Sequence, residues 1–319
     1  MAAFLASPSA LRSRGVLGIN RRISNYVQRY NPRSLLPRVD DKALTAELAE
    51  AHGLPMPRSY LTLRFNSEVR GLERRLEGLP DFVVKPASGS MGNGIIVARR
   101  MEQVEGAPRF AVGGGRVWEL KQLNYHVATI LSGLFSLDGN QDRAIFQERI
   151  ECDARIARLS EGGVPDIRII LLRGVPVMAM LRVATLESRG RANLHQGAVG
   201  IGVSLASGVT HFAMRRGHSL SHHPDSGVAL LGVALPLWPE CLTLAVRVSD
   251  ALNLGYLGVD IVLDAKRGPV LLEGNARPGL AIQLANQAGL AHRLEAIEAL
   301  PELPMTVEAR IALAQSLDP

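Results

Sequence analysis

Two β-type segments in the C-terminal third of the chain constrain the fold most. Tyr256–Asp264 and Pro269–Glu273 are rich in apolar and β-branched residues, and Lys266-Arg267-Gly268 lies between them. Two such segments around a short turn that contains glycine predict an antiparallel hairpin. Because a hairpin places its strands side by side, polar residues on the two strands are expected to lie close together.

Three oxygen-bearing side chains lie on this predicted hairpin. Asp260 is in the first strand, and Glu273 and Asn275 end the second strand two residues apart, so that both face the same side. Two carboxylates and one amide oxygen are hard ligands that suit Mg²⁺ held together with phosphate oxygens. We therefore predict a magnesium site here, although acidic residues at strand ends are often only solvated.

A glycine-rich segment lies between two further predicted strands. Phe82–Pro86 and Ile95–Ala98 flank residues 87–94, which are rich in glycine, serine and asparagine. Glycine lets backbone amides approach an anion closely, and Lys85 would neutralise phosphate from the side. The segment has neither the P-loop sequence nor its strand-to-helix context. We predict a phosphate-binding flap at the tip of a hairpin, with a plain flexible turn as the alternative.

Three other polar segments add to this pattern. Gln147–Ile150 ends a predicted strand, and its backbone groups would either pair with the edge of adenine or simply link two lobes. Pro165–Arg168 opens another strand. Residues 191–197 place a guanidinium and an amide, from Arg191 and Asn193, close together before a glycine, where they can hold phosphate oxygens.

Composition excludes several classes of protein. No apolar run approaches the roughly 20 residues that cross a bilayer, and Pro8, Arg12 and Arg14 interrupt any secretory signal, so we expect a cytoplasmic protein without a membrane span. Two cysteines are too few for a disulfide framework. The net charge of +6 would suit nucleic acid, but the basic residues are scattered and only 4% of residues are aromatic. We therefore expect no nucleic-acid partner.

The order of the segments is more specific than any one of them. A helix from Lys42 to His52, which Asp40 is predicted to cap, precedes the segments above. The other members are, in order, Lys85-Pro86 with its glycine loop, Gln147-Glu148, Asp166-Ile167-Arg168, Arg191-Ala192-Asn193-Leu194-His195, Val259-Asp260-Ile261 and Glu273-Gly274-Asn275-Ala276-Arg277-Pro278-Gly279. From about Asp40 to Leu290 the chain resembles the ATP-grasp superfamily, and most of all the ribosomal-protein-modifying glutamate ligases and the α-L-glutamate ligase-like proteins.

This resemblance implies an α+β fold, in which two lobes with mostly antiparallel sheets grip ATP between them. It implies a basic N-terminal arm (residues 1–39), a small lobe with the glycine-rich flap (residues 40–147) and a C-terminal lobe with the magnesium site (residues 148–319). The implied cofactors are ATP and Mg²⁺, with Mn²⁺ able to replace Mg²⁺.

The resemblance also assigns roles to individual residues. Asp260, Glu273 and Asn275 match the magnesium ligands. Arg182, Arg191 and Arg277 are the candidate catalytic residues, since Arg182 and Arg277 fall where such enzymes stabilise an acyl phosphate or hold a substrate carboxylate. The residues that match nucleotide-binding positions are Lys42 and Lys85 (phosphates), Ser88, Gly89, Gly92 and Gly94 (flap), Glu148 and Ile150 (adenine edge), Asp166 (ribose), and Arg191 and Asn193 (phosphate side).

The implied activity is ATP- and Mg²⁺-dependent ligation of a carboxylate to an amine, with an amino acid or peptide as substrate and glutamate as the expected donor. Folds of this kind often pair, so a homodimer is also expected. The alternative is a non-catalytic nucleotide-binding or interaction module, although such a module would be expected to have lost its metal ligands. A zinc site at His211, His218, His222 and His223 is not expected, because adjacent histidines on a loop cannot easily face one ion.

Overall fold

The structure, a computed structural model, describes residues 7–89, 92–101, 108–113, 115–136 and 139–318. The chain forms two compact units. The larger unit contains the residues up to Asp40, Glu47–Pro55 and the residues from Cys152 onward, and the smaller unit contains Asp41–Ala46 and Met56–Glu151.

All but two of the described α-helices span ten residues or fewer. In chain order they are α1 (Pro8–Ser13), α2 (Ile19–Arg21), α3 (Gln28–Tyr30), α4 (Pro37–Asp40), α5 (Lys42–Ala51), α6 (Leu72–Arg75), α7 (Leu120–Leu131), α8 (Ala154–Ala157), α9 (Trp238–Leu252), α10 (Ile282–Asn286), α11 (Ala291–Glu298) and α12 (Val307–Ser316). A π-helical segment, Arg22–Val27, joins α2 to α3, and 3-10 turns span Arg33–Leu35, Asn66–Val69 and Leu194–Gln196. Within the described ranges, none of these helices is long and apolar enough to cross a membrane.

The strands are β1 (Ser59–Leu63), β2 (Phe82–Pro86), β3 (Ile96–Arg100), β4 (Arg109–Val112), β5 (Arg116–Glu119), β6 (Ala144–Glu148), β7 (Asp166–Leu172), β8 (Val175–Val183), β9 (Val199–Val203), β10 (Thr210–Arg215), β11 (His218–Leu220), β12 (Tyr256–Asp264) and β13 (Gly268–Asn275).

The smaller unit is built on an antiparallel sheet with the order β1-β6-β2-β3-β4-β5. Its core packs α7, through Leu123 and Val127, against Phe82 and Val84 of β2. Because side chains alternate along a strand, Lys85 lies on the face of the sheet opposite this core.

Two local predictions in this unit need correction. The mixed apolar face of residues 117–135 predicts a helix over that whole range. The helix begins only at Leu120, because Arg116–Glu119 pairs with β4, with Trp118 opposite Phe110. The cap of α5 is Asp41 and not Asp40, since Asp41 Oδ1 accepts the backbone N–H of Ala43 at 2.9 Å.

The larger unit is built on a second antiparallel sheet, with the order β11-β10-β9-β8-β7-β12-β13. The β-type segments Ile167–Leu172 and Val175–Leu181 around Arg173-Gly174 predict a hairpin turn. The structure confirms it, and both turn residues have positive φ (49° and 77°), as a type I′ turn requires. β12 and β13 form the predicted antiparallel hairpin. Both sheets with their flanking helices agree with the predicted α+β class.

The residues of the N-terminal arm pack within the larger unit. Tyr26 is fully buried and its ring centre lies 5.7 Å from that of Tyr256. The backbone N–H of Leu17 donates to Gln283 Oε1 at 2.8 Å. The smaller unit extends to Glu151.

A glycine on β9 lets α10 lie directly on the sheet. A Cβ at Gly202 would lie 2.4 Å from the carbonyl oxygen of Ala285. Because backbone cannot yield as a flexible side chain can, we expect Gly202→Ala to destabilise the protein by about 1–3 kcal/mol. Chemical denaturation would measure this, with Gly18→Ala as the control, since no described atom lies within 4 Å of a Cβ built there. Equal stability of the two variants would contradict the expectation.

Candidate functional site

The β12–β13 hairpin brings the three predicted metal ligands together. Asp260 pairs with Glu273, and Asn275 pairs with Gly258. Asn275 Nδ2 donates to Asp260 Oδ2 at 3.2 Å and to Glu273 Oε1 at 3.4 Å. One oxygen from each carboxylate therefore converges on a single position beside an amide. The amide nitrogen of Asn275 faces these oxygens, and rotation of the amide would turn its oxygen toward them instead. Two carboxylates and that amide oxygen are hard donors that fit a divalent cation such as Mg²⁺.

Asp260 is fully buried and is held by two arginines. Arg168 donates to both of its carboxylate oxygens, at 2.7 and 2.5 Å, and Arg182 Nη2 donates to Oδ2 at 2.8 Å. Burial alone would raise the pKa of Asp260, but the charges of Arg168 and Arg182 outweigh it and hold the pKa well below its usual range. The carboxylate is therefore ionised at neutral pH, as a metal ligand must be.

Arg182 also binds a second buried carboxylate. Its guanidinium donates to both oxygens of Asp166, so that it bridges Asp166 and Asp260. Desolvation raises the pKa of Asp166 to about 6, and the nearby charge of Asp260 adds to the effect, whereas Arg182 opposes it. Asp166 is therefore bound by the guanidinium of Arg182. A role of Asp166 near the ribose stays a prediction, as does a catalytic role for Arg182.

The raised pKa of Asp166 predicts a pH effect on stability. Between pH 4 and 6 the folded protein binds this proton and the unfolded chain does not, so the contribution of the group to stability is present at low pH and is lost as the pH rises through about 6. Thermal unfolding of wild type and Asp166→Asn between pH 4 and 7 would measure the difference. We expect the advantage of wild type to shrink as the pH rises, and a constant difference would contradict this origin.

Arg168 is a site residue to which sequence reasoning assigned no role. It lies two residues after Asp166, so both side chains lie on the same face of β7, and this spacing is the signal that pointed to it. The formal charges of Asp166, Asp260 and Glu273 exceed those of Arg168 and Arg182 by one negative charge. A cation bound at this end of the sheet would offset that excess.

The other predicted residues of the larger unit lie in loops. Asn193 Oδ1 accepts the backbone N–H of His195 at 2.9 Å and caps the 3-10 turn. Arg191 Nη1 donates to Gln196 Oε1 at 3.3 Å. Arg277 is half-exposed and lies 3.9 Å from the carboxylate of Asp40. Their roles toward phosphate and substrate stay predictions.

In the smaller unit, both predicted lysines lie near the glycine-rich segment. Lys85, on β2, is 6% exposed. Lys42 Nζ donates to the carbonyl oxygen of Gly89 at 2.7 Å and lies 3.4 Å from that of Ala87. Lys42 therefore contacts the backbone of the predicted flap, and phosphate contact by either lysine stays a prediction.

The glycine-rich segment is the tip of a hairpin, as predicted, because β2 and β3 pair antiparallel on either side of it. The backbone N–H of Ser88 donates to both carboxylate oxygens of Asp142, each at 3.1 Å. A Cβ at Gly89 would lie 2.3 Å from Pro86 Cγ, and Gly92 and Gly94 have φ of 73° and 75°, so these positions favour glycine. Ser90 and Met91 lie outside the described residues. No sequence signal pointed to Asp142.

The predicted adenine-contacting segment follows β6. The backbone N–H of Glu148 donates to the carbonyl oxygen of Arg58 at 2.8 Å, and Glu148 Oε2 accepts the N–H of Arg58 at 3.0 Å. These bonds fix the backbone just before Ile150, which is partly buried. Contact of Glu148 and Ile150 with adenine stays a prediction.

The histidine-rich segment has a structural role at His223. This buried side chain binds the carbonyl oxygen of Ala184 through Nε2 at 2.9 Å, and its Nδ1 accepts the backbone N–H groups of Asp225 and Ser226. Within the described parts of the chain, no three His, Cys, Asp or Glu side chains form a metal-binding group. The role of Asn275 as the third ligand of the candidate magnesium site stays a prediction.

Comparison with known proteins gives matches over most of the chain. The family described as "Sugar-transfer associated ATP-grasp" matches residues 21–299. A "Probable alpha-L-glutamate ligase" from Parasynechococcus marenigrum (strain WH8102) is 26% identical over 265 residues, which cover 82% of this chain and 41% of the relative. A protein with the same description from Trichodesmium erythraeum (strain IMS101) is 24% identical over 250 residues, 78% of this chain and 60% of the relative. The chain thus spans roughly half the length of these relatives.

Among solved structures, the biotin carboxylase domain of the Hydrogenobacter thermophilus 2-oxoglutarate carboxylase, in complex with MgADP, matches with a TM-score of 0.52. It is 15% identical in sequence, and the match covers 86% of this chain and 49% of the other. At this identity the likeness bears on the fold alone. The match to the family over most of the chain and the likeness in fold confirm the predicted ATP-grasp architecture. The chain therefore belongs to the sugar-transfer associated ATP-grasp family.

Proposed function

We propose that this protein is an ATP- and Mg²⁺-dependent carboxylate–amine ligase. The observation that carries the proposal is the convergence of one oxygen each from Asp260 and Glu273 beside the Asn275 amide, in a chain of the ATP-grasp family. All three positions hold good oxygen ligands, so the ligand set has not decayed as it would in a non-catalytic module.

The proposed reaction has two steps. A carboxylate oxygen attacks the γ-phosphorus of ATP, the bond to the bridging oxygen breaks, and an acyl phosphate and ADP form. An amine then attacks the acyl carbon, phosphate leaves, and the amine loses a proton as the amide forms. No side chain acts as a nucleophile, so the protein contributes through positioning and electrostatic stabilisation.

Each group of residues has one task in this scheme. Asp260, Glu273 and Asn275 would hold Mg²⁺, which neutralises the charge on the phosphate oxygens when it is bound. Lys42 and Lys85 would bind the phosphates together with the flap, and Arg191 and Asn193 would also bind phosphate oxygens. Arg182 and Arg277 would orient the carboxylate and stabilise the charge that develops on the acyl phosphate.

We further infer that the donor is glutamate or a similar amino acid. The support is the description of the relatives as probable α-L-glutamate ligases. The family description associates these proteins with sugar transfer, so amino sugars belong among the acceptors to be tested, beside amino acids and peptides. Use of ATP also favours a cytoplasmic location.

Incubation of the full chain with ATP, MgCl₂, glutamate and a panel of amine acceptors tests the proposal. We expect release of phosphate that depends on both substrates, and a product whose mass equals the sum of the two minus water. Tight nucleotide binding without phosphate release, across the whole panel, would favour the non-catalytic module.

A further inference from the structure

The open end of the β12–β13 hairpin is held by a residue of the N-terminal arm. Gly258 and Asn275 are the last residue pair of this hairpin. Tyr256 and Ala276 lie just beyond that pair, one on the side of each strand. Asn31 Nδ2 donates to the carbonyl oxygens of Tyr256 at 2.7 Å and of Ala276 at 3.3 Å. Asn31 Oδ1 accepts the N–H of Tyr256 at 2.9 Å. The side chain of Asn31 thus connects both strands of the hairpin at the end that carries Asn275.

Asn31 is suited to hold backbone in place. It is 3% exposed, and its donor and acceptor atoms both bind backbone groups. Hydrogen bonds of a buried amide are costly to leave unmade, because water cannot replace the lost partner. The position of Ala276, and with it that of the preceding Asn275, therefore depends on the arm.

The chain beyond Ala276 is held from the same side. Arg22 Nη1, also in the arm, donates to the carbonyl oxygen of Pro278 at 2.8 Å. Pro278 packs closely on Gly258, where a Cβ would lie 2.6 Å from the proline Cβ. The segment after Asn275 therefore folds back on β12, and the arm binds it at two points.

From these contacts we infer that Asn31 is a positioning residue for the candidate metal site and that the N-terminal arm, through Asn31 and Arg22, sets its affinity for the divalent cation. This inference rests on the proposed function, because it assumes that Asn275 is a metal ligand. Asn31 acts through backbone, and it orients the amide of Asn275 toward Asp260 and Glu273. Residues that support metal ligands in this way typically change metal affinity by about 10–100-fold when they are replaced.

Gln283, on α10, provides a matched control at another contact with the arm. It is also a buried side-chain amide, 7% exposed, whose oxygen accepts the N–H of Leu17 at 2.8 Å and whose nitrogen donates to the carbonyl oxygen of Leu17 at 3.1 Å. It fixes the arm to α10 and has no bond to the hairpin among the contacts of the described residues. If metal binding weakens only because the arm is less stably packed, the loss of affinity should be equal when Gln283 and when Asn31 is replaced.

The experiment titrates Mn²⁺, as a paramagnetic probe, into the full chain with saturating ADP, for wild type, Asn31→Leu and Gln283→Met. We expect both variants to unfold at lower temperature. Only Asn31→Leu should bind Mn²⁺ more weakly, by about 10-fold or more, with its ADP affinity in EDTA unchanged. Equal Mn²⁺ affinity in all three proteins, or equal weakening in both variants, would overturn the inference.

A second pair of variants applies if Asn31→Leu does not fold. Arg22→Met removes the hydrogen bond to Pro278. Arg29→Met, on the same arm, removes an exposed ion pair with Glu298 of α11. Weaker Mn²⁺ binding in Arg22→Met alone supports the inference, and equal binding in both contradicts it. If wild type itself shows no Mn²⁺ binding with ADP, the proposed function fails, and that result is distinct from a failure confined to the variants.

Discussion

Replacing Glu273 with Gln is expected to abolish ATP-dependent ligation while the fold stays intact. The substitution keeps the size of the side chain but removes one of the two carboxylate charges at the candidate metal site. Loss of roughly 4 kcal/mol of transition-state stabilisation corresponds to a decrease of about 1,000-fold in the rate of phosphate release. The fold should tolerate the change, because Glu273 is only partly buried and Gln can still accept the bond that Asn275 donates.

Phosphate release and thermal unfolding, measured on the same preparations, check this result. Glu302→Gln is a suitable control, since it makes the same chemical change at an exposed position. Turnover of Glu273→Gln at the wild-type rate would remove the metal assignment. Loss of turnover together with loss of the unfolding transition would instead mark Glu273 as a structural residue.

Replacing Arg168 with Met is expected to give the largest loss of stability. Arg168 donates to both oxygens of the buried Asp260, and Met leaves that carboxylate with Arg182, which Asp166 already engages. Removing one partner of a buried ion pair typically costs about 3–5 kcal/mol, because the remaining charge is left uncompensated. The free energy of unfolding from chemical denaturation measures the loss.

A double-mutant cycle separates the charge effect from lost packing. If the cost of Arg168→Met comes from the unpaired charge, adding Asp260→Asn should restore part of the stability, because both charges are then gone. Arg75→Met, which breaks a more exposed pair with Glu68, should cost about 1 kcal/mol or less. Additive losses in the double variant would contradict the electrostatic explanation.

Short-range patterns were sufficient to predict much of the fold. The strand Phe82–Pro86 and the hairpin around Arg173-Gly174 coincide with the observed elements, because apolar β-branched runs and a turn glycine act locally. The pairing of Asp260 with Glu273 could also be predicted from local sequence, because a tight turn leaves few possible registers for the two strands.

The features that were missed depend on contacts between distant segments. Arg116–Glu119 precedes a true helix and looks continuous with it, but pairing with β4 makes it a strand. Arg168 was recognisable only as a charge on the same strand face as Asp166, and its contact with Asp260 depends on the pairing of β7 with β12. Asn31 lies in a basic arm that has no marked periodicity, so nothing local indicates its bonds to Tyr256.

The distance in sequence between Asn31 and Tyr256 has a consequence for how the protein is made. These residues are 225 positions apart, whereas Met56–Glu151 of the smaller unit is continuous. At a synthesis rate of about 5–20 residues per second, the arm leaves the ribosome at least about ten seconds before its partner exists. Leu17 and Tyr26, buried in the finished protein, stay uncovered during that interval. The arm therefore completes its folding only after β12 has emerged.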